Sequence, residues 1–463
     1  MDYRELLRPL VEGRRVVLAG GPAAAHTATA GVLRQLGAEA TLVLGTEGRG
    51  TGPLPEPEVA AWVATSPGPT GSVSATIHAS NRLLEHPPPD ILDALARFDP
   101  GREALVIGSF LNEASELDGR PFLAWRRPKW VAFEDKLIVD ALWDRAGVRR
   151  APSAVVHLDP AALRRATRSL DGGAGTVWAA DTSEGFHGGA EKTRWVRSAG
   201  ELDEAVAAFA GRTRRVRVMP FVAGVPCSIH GIVFPDHLAA LRPVEQVTLR
   251  RAAGGGFLYA GCATFYDPPK AVRELQRDIA RRVGAVLRHE VAYRGAFSID
   301  GVVTGNSFLP TELNPRMSAG LSVMLGAVPD LPLQLLLDAL VGGIDLGYRP
   351  AGLERLLLER ADGRRAGGTW RIAPDGIAGR DQAPLVESRG DWRWAREGEV
   401  ATGWLTCGLG AHGSFVRLNV DPGQVSRGPS FAPRAARFWS FADRELGTGL
   451  GELVPVGAPV SAG

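Results

Sequence analysis

Hydrophobic residues fall along the chain in two rhythms: short runs bounded by glycine or proline, and longer stretches with helical spacing. Residues 15–18 form an apolar run closed by Gly20-Gly21-Pro22. An Ala-rich helix to about Leu36 and a second run at 40–44 complete a β-α-β opening. Residues 45–72, rich in Gly, Pro, Ser and Thr, read as a long loop, and 104–107 as another buried strand. Glu134-Asp135-Lys136 is predicted to open a helix, with acidic residues in its first turn, that ends near Ala146-Gly147-Val148. Strands are predicted at 177–180, 193–196, 215–222, 229–234, 242–250 and 257–262. A long helix over about 270–289, a hairpin around Gly305 and a helix near 331–341 follow. From about residue 346 the pattern is strand-like and rich in Trp and Gly, before a helix near 433–446 and a loose tail from Gly447. Alternating strands and helices predict α/β and α+β architecture.

Composition narrows the function classes. With 463 residues, the chain is long enough for two to four domains. A net charge of +2, with no basic stripe interleaved with aromatics, gives no case for nucleic acid. No apolar run is long enough for a bilayer. The Met1-Asp2-Tyr3-Arg4-Glu5 start lacks the regions of a signal peptide, and Cys227, Cys262 and Cys407 form neither a zinc motif nor a disulfide framework. A cytoplasmic location is expected. Only four of the 53 basic residues are lysines: Lys129, Lys136, Lys192 and Lys270. A lysine kept against that bias is a stronger functional candidate than usual.

The most informative segment runs from Phe297-Ser298-Ile299-Asp300 to Thr311-Glu312-Leu313-Asn314-Pro315-Arg316. Glu312 and Asn314 are two residues apart, so on a strand they share a face. With a turn at residues 305–307, Asp300 lies directly opposite Glu312; a tighter turn would shift the pairing by one residue. Asp300, Glu312 and Asn314 then offer hard oxygen donors to Mg²⁺, with Arg316 beside them. Taken alone, a Glu-x-Asn is more simply a rim carboxylate before a turn.

The ordered set of motifs resembles the ATP-grasp ligases over residues 129–340. The set comprises Glu134-Asp135-Lys136, the glycine loop in residues 181–190, the strand Val218-Met219-Pro220-Phe221-Val222, and the hairpin. The resemblance implies a Rossmann-like N-terminal domain (1–125), a central ATP-grasp fold (126–345) whose hinged glycine-loop lid covers about 150–222, and a β-rich C-terminal domain (346–463) with a final helix. It implies ATP and Mg²⁺ as cofactors. Lys136 would meet a phosphate; Glu184, Gly188, Gly189 and Lys192 would lie over the triphosphate; Met219, Phe221 and Val222 would frame the adenine. Asp300, Glu312 and Asn314 would hold the metal, and Arg316 would stabilise an acyl phosphate. Two departures stand out. Ala179 occupies the place where many members carry a second lysine, and Pro226-Cys227-Ser228 stands where many carry a ribose-binding glutamate.

The activity implied is an ATP-dependent carboxylate–amine ligase acting on small-molecule carboxylate and amine substrates. A nucleotide- or amino-acid-binding pseudo-ligase and a phosphotransferase on the same scaffold remain as alternatives. Ser228-Ile229-His230-Gly231 and Arg242-Pro243-Val244-Glu245 loosely resemble the pheganomycin-type peptide ligases of natural-product pathways. Ser228, Arg242, Glu245 and Ser318 would line the substrate side, although surface or packing roles explain each of them equally well. The C-terminal domain either closes the acceptor pocket or makes a homodimer contact.

Overall fold

Consecutive apolar residues with no polar alternation belong in a parallel sheet covered on both faces, and the first sheet follows that rule. Strands β1 (Arg15–Pro22), β2 (Ala40–Thr46), β3 (Ala61–Thr65) and β4 (Leu105–Gly108) are parallel in the order β3-β2-β1-β4, with Val16, Val17, Leu18 and Ala19 all buried. The structure, a computed structural model, describes residues 2–46, 52–65, 73–182, 188–252, 256–374, 376–410 and 413–457. Strand β3 corrects the reading of 45–72 as loop. It is short, its side chains are half-buried or exposed, and its hydrogen bonds come from β2 rather than from any local pattern. Helices Val73–Glu85 and Pro89–Phe98 lead from it to β4.

The chain then enters a four-stranded antiparallel sheet. Its strands are β5 (Ala154–His157), β6 (Thr176–Ala180), β7 (Thr193–Val196) and β8 (Arg215–Pro220), in the order β5-β8-β6-β7. Helices Pro160–Leu170 and Ala199–Phe209 cover it; each opens on an N-cap, Asp159 and Ser198, whose side chain accepts a backbone N–H.

The central sheet holds β9 (Val225–Val233), β10 (Leu238–Ala240), β11 (Val244–Arg251), β12 (Phe257–Ala263), β13 (Gly295–Thr304) and β14 (Ser307–Asn314). Its main path is β12-β11-β9-β13-β14, with β10 paired to β9. Period two sorts its faces. Cys227, Ile229 and Val233 of β9 and Phe297, Ile299 and Leu313 of the hairpin join the core under helix Lys270–Val291. That helix contributes Val272, Ile279, Ala280, Val283 and Leu287 from one stripe. Ser228, His230, Ser298, Asp300, Glu312 and Asn314 alternate with them.

The β13–β14 hairpin reaches its register by an unexpected route. Its turn is the tight one: Thr304 pairs with Ser307 across Gly305-Asn306, with Gly305 at φ +54°. That register would set Asp300 against Thr311. Between Asp300 and Gly301, however, the pairing slips by one, from Gly301↔Pro310 to Asp300↔Glu312, with Thr311 as the extra residue of a β-bulge. Gly301 makes the bulge feasible, since a Cβ there would lie 2.4 Å from the Leu309 carbonyl oxygen and 2.7 Å from the Phe308 ring. Pro310 lies on an edge strand beside the bulge, the setting in which a sheet tolerates proline.

Beyond helices Leu333–Val341 and Pro350–Gly363, a five-stranded antiparallel sheet completes the fold. It comprises β15 (Gly368–Ala373), β16 (Arg380–Ser388), β17 (Asp391–Trp394), β18 (Gly403–Gly410) and β19 (Gly413–Val420), ordered β15-β19-β18-β16-β17. It shares a core with Val247, Leu249 and Phe265 and with Phe438 and Trp439 of helix Ala432–Leu446. The tail is not loose: Leu453–Pro455 pairs with Leu249, Arg250 and Arg251, and Asp443 accepts hydrogen bonds from Thr448, Leu450 and Gly451.

Gly301→Ala is expected to lower stability by about 1–3 kcal/mol, because the added methyl overpacks the bulge. Urea denaturation reads this directly, and a midpoint equal to that of the unaltered protein would contradict the packing described.

Candidate active site

Asp300, Glu312 and Asn314 come together on the face of the central sheet opposite helix Lys270–Val291. The Ser228 hydroxyl donates to Asp300 Oδ1 at 2.6 Å and the Asn314 amide donates to Asp300 Oδ2 at 3.0 Å. Asn314 Oδ1 accepts from Arg316 at 2.8 Å, and Lys136 Nζ lies 3.1 Å from Glu312 Oε2. Burial, and then the Glu312 charge, push the Asp300 carboxyl up to about 6, against the pull of hydrogen bonds from Ser228 and Gln246 and of the Arg316 charge.

Arg316 is held from its other side by Glu134, whose Oε1 lies 2.9 Å from Arg316 Nε and 2.6 Å from an Arg126 guanidinium nitrogen. The sequence reading passed over Glu134 as a helix-opening residue. Here the signal was present but misassigned. Residues Ala132–Glu134 form a single 3-10 turn, the next helix starts only at Val139, and Lys136 lies in the link between them. The link turns Glu134 towards Arg316 and Lys136 towards Glu312, whereas one continuous helix from Glu134 would send side chains two residues apart to opposite sides.

Arg217 was also missed. It sits on β8 directly opposite Ala179 of β6, and it is 1% exposed. Its guanidinium is paired with Asp140 and donates to the Thr311 carbonyl at 3.0 Å. The peptide oxygen of the bulged residue is thereby taken up by a side chain from the neighbouring sheet. No local pattern could reveal a partner 94 residues away.

The other predicted residues lie as follows. The Gly188 N–H donates to Ser74 Oγ at 3.0 Å, Gly189 has φ +63°, and Lys192 Nζ donates to the Arg212 carbonyl at 3.4 Å. Glu184 lies outside the described residues. Met219 is buried on β8, Val222 is half-buried, and Phe221 stacks on Trp195 at 4.1 Å. The Ser318 hydroxyl is 2.8 Å from His230 Nε2; burial holds that ring down to about 3, so it is a neutral imidazole. Arg242 and Glu245 are not presented as substrate clamps. Arg242 is buried between Asp267 and Asp362. Glu245 accepts from the Ser430 hydroxyl and the Phe431 and Ala432 amides, fastening the start of the last helix.

Among the described residues no group of three or more His, Cys, Asp or Glu side chains could hold a metal by itself. A pair of carboxylates still fits Mg²⁺, which is commonly held by one or two carboxylates together with substrate phosphates. The observation in favour is the Glu312 charge pressing on Asp300: two half-buried carboxylates side by side are the arrangement a cation relieves.

No protein-family model and no curated protein matches the chain. Solved structures do. N5-carboxyaminoimidazole ribonucleotide synthetase in its ADP complex aligns with a TM-score of 0.51 at 13% identity, over 94% of this chain and 98% of that one. The Aspergillus clavatus N5-carboxyaminoimidazole synthase, in complex with ADP and 5-aminoimidazole ribonucleotide, aligns at 0.50 and 12%, over 89% and 94%. Rhizobium etli pyruvate carboxylase aligns at 0.55 and 15%, over 94% of this chain and 39% of that longer one. At these identities the likeness shows the fold alone: the chain shares the fold of these proteins. No helix among the described residues is long and apolar enough to cross a membrane.

The raised Asp300 value gives a pH signature. The folded state binds this proton more readily than the unfolded chain, so the contribution of Asp300 to stability is present below the ordinary value of 3.8 and lost as pH rises through about 6. Without metal, Asp300→Asn is expected to gain on the order of 1–3 kcal/mol on going from about pH 4 to about pH 7.5, relative to the unaltered protein. Urea denaturation at the two pH values measures that difference; its absence would show Asp300 to be unperturbed.

Proposed function

We propose that the chain is an ATP- and Mg²⁺-dependent carboxylate–amine ligase working through an acyl phosphate. The observation that carries this reading is the pairing of Asp300 with Glu312 between two cations, Lys136 and Arg316. A bound Mg²⁺ would be held by Asp300 and Glu312, with Asn314 beside them, and would supply neutralisation of phosphate charge. Lys136, already within reach of Glu312, offers its ammonium to a phosphate oxygen. A substrate carboxylate oxygen attacks the γ-phosphorus, the P–O bond to ADP breaks, and an acyl phosphate results. An amine nitrogen then attacks the acyl carbon, the C–O bond to phosphate breaks, and the nitrogen loses its proton as the amide forms. Arg316 stabilises the oxyanion of that step, its guanidinium pre-set by Glu134 and Asn314 so that no reorientation is needed.

The finer assignment, to amino-acid or peptide substrates as in the pheganomycin-type ligases, rests on the sequence likeness of the Ser228-Ile229-His230-Gly231 stretch, whose Ser228 and His230 side chains face Asp300 and Ser318. The Arg242–Glu245 stretch lends no support, being engaged elsewhere. Ala179 favours a second reading, a binding protein without turnover. The side chain opposite it, Arg217, is already engaged by Asp140 and the Thr311 carbonyl.

Incubation with Mg-ATP and an amino-acid panel is expected to yield ADP, phosphate and a new amide detected by mass spectrometry. Glu312→Ala should lower turnover by about 100-fold or more, the scale of removing a principal metal ligand. AMP and pyrophosphate as products, or an unchanged rate in the variant, would contradict the mechanism; tight Mg-ATP binding with no product would favour the second reading.

A further inference from the structure

A small cleft, open to solvent on one side, lies where the loop after β4 meets helix Leu333–Val341 and the Pro315-Arg316-Met317 turn. Arg316 is in its wall. So are Trp125, Trp130, Tyr293, Met317 and Asp338. Arg126 is a second guanidinium of the wall, paired with Glu113 and Glu134, and two of the aromatic residues use their polar tips elsewhere. The Trp130 indole donates to the Val291 carbonyl at 3.2 Å and the Tyr293 hydroxyl to the Ala296 carbonyl. Their rings meet edge to face at 4.9 Å.

Asp338 is out of keeping with this wall. The other buried residues of its helix are Leu333, Leu335, Leu336, Leu337, Ala339 and Leu340. Asp338 is 9% exposed, and its Oδ2 has no hydrogen-bond partner among the described residues. Burial pushes its carboxyl up to about 8. An unpartnered carboxyl among leucines costs free energy that packing alone would not retain. A ligand able to donate hydrogen bonds would recover it.

We propose that Asp338 receives the ammonium group of the acceptor substrate, and that this acceptor is a primary amine with an apolar or aromatic body. The proposal rests on the ligase reading above and deepens it. The buried carboxyl of Asp338 holds its proton at neutral pH until a cation meets it; an ammonium displaces that proton to solvent and pairs with the carboxylate left behind, which neither a carboxylate nor an alcohol can do. An ammonium brings both charge and donors, while its hydrocarbon body covers the aromatic wall. Because Arg316 lines the same cleft, an amine seated there lies beside the residue assigned to the acyl phosphate.

The test is titration calorimetry on the full chain with phenethylammonium and isoamylammonium chlorides, each against its uncharged isostere, 2-phenylethanol and isoamyl alcohol. The ammonium forms are expected to bind about tenfold or more tightly than the alcohols, the scale of one charge-assisted hydrogen bond, and Asp338→Asn is expected to abolish that preference. Equal binding of the amines and alcohols by the unaltered protein overturns the proposal, with no need of the variant. A preference that survives in a folded Asp338→Asn protein also overturns it. Mg-ATP binding, measured separately, separates the two claims: an amine preference lost on Asp338→Asn supports this one even if Mg-ATP fails to bind and the ligase reading falls.

Discussion

One extra residue in one strand sets the geometry of the candidate site. The tight Gly305-Asn306 turn would leave Asp300 opposite Thr311, and Glu312 would lie on the far side of the sheet from it. The bulge at Thr311 restores the pairing and sets two half-buried carboxylates side by side. Such a pair repels, and its surroundings are arranged to contain that repulsion. Lys136 faces Glu312. Ser228, Gln246 and Asn314 give hydrogen bonds to Asp300, and Arg316 stands behind Asn314. What remains is the raised affinity of Asp300 for a proton, which a divalent cation would satisfy instead.

The bulge also joins parts of the chain that are distant in sequence. The Thr311 carbonyl, displaced from the ladder, is taken by Arg217 of β8, and Arg217 is held by Asp140 of helix Val139–Arg145. The β13–β14 hairpin, the sheet that holds β8 and that helix therefore meet around one peptide oxygen. The C-terminal sheet contributes from the opposite edge, sharing a core with β11 and β12, while Glu245 on β11 ties down the last helix. Glu245 thus serves assembly of the fold, and burial pushes its carboxyl up to about 6.

Much of this was legible in the residues themselves. Period two placed Glu312 and Asn314 on one face, and the bias against lysine marked Lys136. The apolar stripes located helix Lys270–Val291 and the last helix to within a few residues. The illegible parts share a physical cause: they depend on partners far away in the chain. The bulge needs Arg217 and the space left by Gly301. Arg242 looked like a carboxylate clamp until Asp267 and Asp362 claimed it, and β3 is a strand because β2 offers it hydrogen bonds. Lys136 was placed on a helix because acidic residues precede it, yet the 3-10 turn ends at Glu134 and lets the link swing both side chains inward.

The central claim is that Asp300 and Glu312 share a divalent cation with the nucleotide. Diffraction from crystals grown with Mn²⁺ and a non-hydrolysable ATP analogue, collected at the manganese edge, tests it most directly. The account predicts an anomalous peak within coordination distance of oxygens from both carboxylates and from the terminal phosphate. A nucleotide bound with its metal ligated by other side chains, and with Lys136 still paired to Glu312, would contradict it.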